Sequence, residues 1–202
     1  MIMVLLRSVA ISILLSFGLM IGNAAFGAPA KSSTQTGHLP AFIDSAFAVK
    51  YALQYQQYDK ITPHIHPTKG VRFSLYAYVN PDKDKVFSQA EFDKYLNQSK
   101  IQFTWGEKDG TGDLYIVSLP TYLANWVVRD TRFEKVGVNE FYGTGNSLNN
   151  LADVYPEHEF VEFYSAGSET CAGMDWRCMR LVFETYQGRP YLVAIITDEW
   201  TI

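Results

Sequence analysis

The sequence has few of the residues that most often bind metals or act as nucleophiles. Among its 202 residues there are only two cysteines and four histidines. It contains no H-E-x-x-H or C-x-x-C metal pattern, no G-x-S-x-G nucleophile elbow and no Rossmann glycine fingerprint. The usual signatures of zinc proteases, elbow-type serine hydrolases and dinucleotide-binding enzymes are therefore excluded. The sequence predicts neither a cofactor nor a metal.

Runs of basic residues are also missing. The chain has 17 lysines and arginines against 21 aspartates and glutamates, a formal net charge of −4. A mildly acidic chain without a basic stretch lacks the electrostatic surface that nucleic-acid binding requires, so we do not expect DNA or RNA as a partner. Aromatic residues, in contrast, make up 15% of the chain, which is enough for a substantial hydrophobic core.

The start of the chain has the pattern of a secretory signal peptide. Arg7 gives a basic beginning, and the apolar run 8–21 is shorter than the roughly 20 residues of a membrane span. Small residues follow it, and the lack of a cysteine there argues against a lipoprotein anchor. An uncleaved anchor is the alternative. The predicted organisation is a leader over 1–30, a flexible linker over 31–40 and one domain over 41–202. We therefore expect a secreted or periplasmic protein with no membrane span after leader removal.

Cys171 and Cys178 both follow the leader, where oxidation is allowed. Six residues separate them, and a disulfide can form if this segment doubles back and brings the Cα atoms within about 7 Å. Two free thiols are the alternative, and both predictions stay open. No histidine stands near either cysteine in the sequence, which disfavours a catalytic thiolate.

Hydrophobic periodicity places helices early in the chain and strands late. Positions 71–79 alternate between apolar and polar or aromatic residues, as in a strand with one buried face. The run LVAII at 192–196 is unbroken, as in a central strand covered on both faces. Helices are predicted over 41–58, 88–96 and 118–128, and further strands over 101–105, 114–117, 160–164, 176–186 and 191–200. This order predicts an α+β fold: a curved antiparallel sheet with N-terminal helices on one face and a closing C-terminal β-hairpin.

Three stretches resemble an uncharacterised family of exported bacterial proteins. They are HPTKGVRFSLYAYVN (66–80), GMDWRCMRLVFE (173–184) and YLVAIITDEWTI (191–202). The order of helix, short helix, strand and closing hairpin is also similar to the nuclear transport factor two-like fold, a cone of sheet and helices. Members of that superfamily include isomerases, dehydratases and non-catalytic binding domains, so the resemblance implies a fold without choosing a function.

The segment NPDKDKVFSQAEF (80–92) has two interpretations. The ligands of an EF-hand-like calcium loop would be Asn80, Asp82, Asp84, the carbonyl of Val86, Ser88 and Glu91. Lys85, however, stands where such a loop needs glycine, and a strand-like segment precedes it where a helix is required. The alternative is a turn followed by a capping box, in which Ser88 caps a helix and Glu91 reaches back. The second interpretation is favoured.

The polar face of the first predicted strand is a candidate ligand surface. The candidate ligand-binding residues are Arg72, Tyr76, Tyr78 and Arg180, with Arg177 as an alternative to the last. An arginine beneath tyrosines suits a carboxylate-bearing ligand. The same residues also suit a structural sheet face, on which an arginine pairs with Glu162 or Glu184 across strands.

No group of residues forms a convincing catalytic set. The main prediction is a non-catalytic module that binds a small molecule or a cell-envelope protein. The alternative is a ketosteroid-isomerase-like or dehydratase-like enzyme with an acid–base pair in the sheet pocket, for which His66 and Asp175 are the first candidates. A homodimer joined through exposed sheet faces is a third possibility.

Overall fold

The structure is a computed structural model that describes residues 40–129 and 131–202. The predicted leader (1–30) and all of the predicted linker except Pro40 lie outside the described residues. The described residues belong to one structural unit. Within them, no helix combines the length and the apolar character needed to cross a membrane.

The three longest strands, of 7, 10 and 11 residues, come last in the chain. The helices are α1 (Ala41–Gln54), α2 (Gln89–Leu96), α3 (Leu119–Tyr122), a π-helix (Leu123–Val128) that continues α3, and α4 (Leu151–Val154), with 3₁₀ turns at Tyr58–Lys60 and Thr62–His64. The strands are β1 (Val71–Ser74), β2 (Lys85–Phe87), β3 (Phe103–Glu107), β4 (Leu114–Val117), β5 (Lys135–Val138), β6 (Glu159–Ser165), β7 (Arg177–Tyr186) and β8 (Arg189–Glu199).

Six strands form one sheet in the order β2-β1-β8-β7-β6-β5, and β3 pairs with β4 in a separate two-stranded sheet. β7 and β8 form the predicted closing hairpin, with Arg180 opposite Ile196. The pairs within the large sheet are antiparallel except for β1 and β8, which run parallel with Phe73 opposite Ile195. The predicted α+β class is confirmed, and the large sheet is mixed because of this one parallel pair.

The central strand β8 is covered on both faces, as the run LVAII predicts. On one face, Ile195 belongs to the main core together with Leu53 of α1. On the other face, Ile196 belongs to a smaller cluster with Leu151 of α4. Full burial of a large apolar side chain stabilises the fold by about 1.5–3 kcal/mol. The two apolar clusters therefore hold the β7–β8 hairpin in place, together with the side chains at its two ends.

The first strand is shorter than predicted. β1 ends at Ser74, whose hydroxyl group shares its proton between the carbonyls of Tyr76 and Tyr78, at 3.0 and 2.9 Å. The side chain of Asn150 then binds both the N–H and the carbonyl of Val79, at 2.8 and 2.9 Å. These bonds take the place of sheet pairing, so both tyrosines project from a loop and not from a strand.

Candidate functional site

An open cleft of about 540 Å³ lies between the loop that follows β1 and the β3–β4 hairpin, and we call it the aromatic cleft. It is lined by Ser74, Leu75, Tyr76, Tyr78, Asn80, Asp82, Lys83, Asp84, Lys85, Thr104, Trp105, Gly106, Glu107 and Leu114. Two of the four predicted ligand-binding residues, Tyr76 and Tyr78, therefore share this cleft. The other two, Arg72 and Arg180, do not line it.

Trp105 on β3 forms the rigid part of the cleft wall. Its indole ring stacks on Tyr122 of α3 with 3.7 Å between ring centroids. Its Nε1–H donates to the carbonyl of Val117 at 3.0 Å. Gly106 allows the hairpin to approach closely, because a Cβ atom there would lie 2.9 Å from Cδ2 of Leu75. A stacked ring whose polar atom is satisfied has little freedom, so this wall is formed before any ligand arrives.

The two tyrosines of the cleft differ in freedom. Tyr76 packs edge-on against Trp126 with 5.6 Å between centroids, and its hydroxyl accepts the N–H of Asp109 at 2.9 Å. Tyr78 is 48% exposed. Tyr76 is therefore held in place, whereas the half-exposed side chain of Tyr78 has room to change rotamer.

Asp84 supplies a half-buried carboxyl group to the cleft. Its Oδ2 accepts the N–H of Asn80 at 2.8 Å. Burial raises the pKa of Asp84 to about 6, against the opposing effects of that hydrogen bond and of the Arg72 guanidinium. The group therefore changes charge near neutral pH, and it accepts a hydrogen bond from a ligand when it is ionised.

The segment predicted as either a calcium loop or a turn adopts the turn. Oδ1 of Asn80 accepts the N–H groups of Asp82 and Lys83 at 3.1 and 3.2 Å. Glu91 accepts the N–H and the hydroxyl of Ser88 at 2.9 and 2.8 Å, and Ser88 caps α2 in return. The capping box is thus confirmed. Across residues 40–129 and 131–202, no group of three or more His, Cys, Asp or Glu side chains could hold a metal ion.

Arg72 stabilises the turn after β1 and is not assembled into a clamp beneath the tyrosines. Its Nη1 donates to the carbonyls of Asn80 and Pro81 at 3.3 and 3.2 Å. Its Nε donates to the hydroxyl of Tyr155 at 3.2 Å. Because Nε and Nη1 donate to these groups and Arg72 does not line the cleft, the predicted arginine–tyrosine surface for a carboxylate does not form around Arg72.

Arg180 is fully buried in an ion cluster that we call the buried triad: Glu162, Arg180 and Asp198. Nε of Arg180 donates to Glu162 at 2.7 Å, and Nη2 lies 3.4 Å from Asp198. The other oxygen of Glu162 accepts the N–H groups of Tyr142 and Gly143 at 2.6 and 2.8 Å. The triad therefore ties the loop before α4 to the sheet. Cross-strand pairing with Glu162, one of the two sequence interpretations, is the role that the structure gives Arg180.

Gly143 is a residue at which this loop approaches the sheet closely. Its carbonyl accepts a hydrogen bond from Nη2 of Arg180 at 2.7 Å. A Cβ atom at this position would lie 2.8 Å from Sγ of Cys178 and 2.9 Å from the ring of Trp176. A larger residue at this position would therefore push the loop away from Cys178 and Trp176, and with it from Arg180.

His66 and Asp175 lie at opposite ends of the β7–β8 hairpin. The ring of His66 packs on Tyr186, the last residue of β7, with 4.9 Å between centroids. Asp175 precedes β7, and its carboxylate accepts the N–H and hydroxyl of Ser168 at 2.7 and 2.9 Å. The ten residues of β7 between them span about 30 Å. The predicted acid–base pair therefore does not form.

Both cysteines are free thiols in the structure. Cys171 is exposed in the loop before β7, whereas Cys178 is buried within that strand. Burial raises the pKa of Cys178, which keeps its thiol protonated. The disulfide considered from the sequence is absent from the structure, and Cys178 behaves as a core residue.

Comparison with known proteins finds no matching family model, no matching curated protein and no matching solved structure. Function has to be inferred from the geometry of this chain alone.

Proposed function

We propose that this protein is an exported, non-catalytic module that binds a small molecule in the aromatic cleft. The observation that carries the proposal is a fixed aromatic wall, a free tyrosine and a half-buried carboxyl group in one concavity. Small-molecule sites are typically concave and lined by apolar and aromatic side chains with a few polar groups that orient the ligand. The cleft volume of about 540 Å³ falls within the usual range of such sites.

The lining residues favour a small aromatic amine. Tyr76 and the exposed Tyr78 offer ring surfaces for a flat apolar body, and the buried Trp105 belongs to the rigid wall of the cleft. Asp84 is ionised above pH 6, and a cationic group gains both from its carboxylate and from the faces of the rings. The carboxylate-bearing ligand expected from the sequence required Arg72 and Arg180, neither of which lines the cleft.

A thermal-shift screen tests this proposal, with aromatic amines as the expected class and aromatic carboxylates as the comparison class. An amine that binds the folded state should raise the melting temperature in proportion to RT ln(1 + [L]/Kd). Tyr78→Ala and Asp84→Asn should each lose most of that rise. Tyr55→Ala is the matched control, because it removes a tyrosine that is 70% exposed outside the cleft. Equal shifts in all three variants, or no shift with any amine, would contradict the proposal.

An acid–base enzyme is the second candidate, and Asp84 is the observation that favours it. A carboxyl group with a pKa of about 6 is well matched to proton transfer near neutral pH. In a ketosteroid-isomerase-like or dehydratase-like reaction, Asp84 would act as the base and Tyr76, whose hydroxyl proton is not used in its bond with Asp109, would donate to the substrate. Turnover of a bound ligand that Asp84→Asn abolishes would replace the binding proposal with this one.

Export, kinship with the exported bacterial family and the cone-like fold are proposals that rest on sequence pattern. Fractionation of cells that express the tagged chain, with mass spectrometry of its N-terminus, tests export. A shortened chain in the periplasm or medium supports it, and a full-length chain in the membrane fraction supports an uncleaved anchor instead. Light scattering of the purified chain distinguishes a monomer from a homodimer.

A further inference from the structure

A second cleft, of about 580 Å³, lies where β6 and β8 end and β7 begins, and we call it the arginine cleft. Its charged and aromatic lining residues include Arg129, Arg132, Arg177, Asp175, Glu199 and Trp200. It shares no lining residue with the aromatic cleft. Three arginines face two carboxylates here, so the cleft carries a net positive charge in a chain that is acidic as a whole.

Arg177 is the buried base of the arginine cleft, with 9% of its side chain exposed. Its Nη2 donates to the carbonyl of Trp126 at 2.7 Å. Its Nε lies 2.9 Å from Glu199, within ion-pair distance but without hydrogen-bond alignment. Its Nη1 is buried and has no hydrogen-bond partner within the described part of the chain. Buried donors without a partner are rare because they have lost their water, so Nη1 is suited to an acceptor that a ligand brings.

Arg129 reaches the rim of the cleft because the π-helix stops there. The helix ends with Arg129 in the left-handed region, at φ 42°, a conformation that costs energy in a non-glycine residue. Its guanidinium lies 4.7 Å from the ring centroid of Trp126, and its Nη1 donates to Glu199 at 2.9 Å. The carboxylate of Glu199 therefore pairs with both Arg129 and Arg177. Exposed Arg132 adds a third positive charge on the rim.

We propose that the arginine cleft binds an oxyanion, a phosphate or carboxylate group carried by a small molecule. Exposed Arg132 closes on the oxyanion from the rim, and a small movement of the Arg177 side chain brings its buried Nη1 to the oxyanion from below. Guanidinium groups are planar donors that match the oxygens of both anions. Trp200, which is 41% exposed, supplies a surface for the rest of the ligand. This site is separate from the aromatic cleft, so either proposal can fail without the other.

Titration of the purified protein with inorganic phosphate and, separately, with succinate tests the proposal. Tryptophan fluorescence is the readout, because Trp176 and Trp200 line the cleft, and sodium chloride keeps the ionic strength constant. At least one anion should give a saturable change, and the preferred anion identifies the chemistry of the ligand. Arg132→Ala should weaken that affinity about tenfold, as expected for the loss of one charge-assisted contact.

Arg189→Ala is the matched control, because it removes an exposed arginine at the opposite end of the β7–β8 hairpin. It should leave the affinity unchanged. Arg177→Met should abolish binding while circular dichroism shows a folded protein. If that variant does not fold, the comparison of Arg132→Ala with Arg189→Ala still tests whether the anion binds in the arginine cleft. The absence of a saturable change with either anion, or an equal loss in these two variants, would overturn the proposal.

Discussion

Replacement of Arg180 by methionine removes the positive charge that pairs with two buried carboxyl groups. Arg180 and Glu162 are 0% exposed, and Asp198 is 2% exposed. Removal of one partner from a buried ion pair leaves an uncompensated charge and costs roughly 3–5 kcal/mol. Methionine preserves the apolar stem but loses the guanidinium, which also donates to the carbonyl of Gly143 and lies 5.1 Å from the ring centroid of Phe141. Because domains typically unfold with about 5–15 kcal/mol, Arg180→Met should be at best marginally stable.

Urea unfolding at pH 7 measures this cost as a lower midpoint at constant slope. The matched comparison is the double variant Glu162→Gln/Arg180→Met. Its neutral amide oxygen still accepts the N–H groups of Tyr142 and Gly143, which bind Glu162 in the wild type. We expect the double variant to be about 1–2 kcal/mol more stable than Arg180→Met alone, because an unpaired amide N–H costs less than an unpaired charge.

Lower pH gives an independent check on the same reasoning. Burial already raises the pKa of Asp198 to about 6, and Arg180 opposes that rise. Without Arg180 the pKa rises further, so Arg180→Met should regain stability relative to the wild type as the pH falls from 7 to 5. The buried-charge effect is refuted if the free energy of unfolding of Arg180→Met stays within about 1 kcal/mol of the wild-type value, which is the range of an exposed ion pair. It is also refuted if the double variant is less stable than Arg180→Met.

Three further predictions concern stability. Asp84→Asn should raise the melting temperature more at pH 7.5 than at pH 5, by the equivalent of about 1 kcal/mol after solvent screening. The reason is that burial raises the pKa of Asp84 from 3.8 to about 6. The stability that its protonated carboxyl group contributes is therefore complete below pH 4 and is lost as the pH rises through 6. Equal shifts in melting temperature at both pH values would contradict this. Gly143→Ala should cost about 1–3 kcal/mol in thermal melting, because its Cβ atom would lie 2.8 Å from Sγ of Cys178, and an unchanged melting temperature would show that the loop can move. Ser88→Ala should cost about 1 kcal/mol in urea unfolding, and Glu91→Gln, which keeps an acceptor for the Ser88 N–H, should cost less; the reverse order would contradict the capping box.

The C-terminal hairpin was predictable because its signals are local. Two long β-rich runs flank the turn QGRP, and β7 and β8 lie within two residues of their predicted bounds. β2, β5 and α4 have three or four residues each, which is too few for a clear hydrophobic period. The sequence predicts too long a first strand because alternation continues past Ser74, whereas the bonds that join Val79 to Asn150, 71 residues further along the chain, are invisible to local pattern.

The candidate site was predictable only in part. Alternation placed Tyr76 and Tyr78 on one surface, and they do share the aromatic cleft, although from a loop. In the sequence, only the calcium-loop interpretation gives Asp84 a functional role, because its raised pKa depends on burial that tertiary packing creates. The neighbouring Trp105 and Gly106 carried a usable signal, since glycine beside a large aromatic in a strand marks a close backbone approach.

The parallel pairing of β1 with β8 joins segments about 120 residues apart in the sequence. Contacts of such long range form slowly, because a large loop must close before they stabilise the fold. β8 lies between β1 and β7, yet it is the last strand in chain order. The β2–β1 pair therefore has no place to join until almost the whole chain has been made. Under the proposed export, in which the chain crosses a membrane unfolded, this order of assembly would delay folding until synthesis is nearly complete.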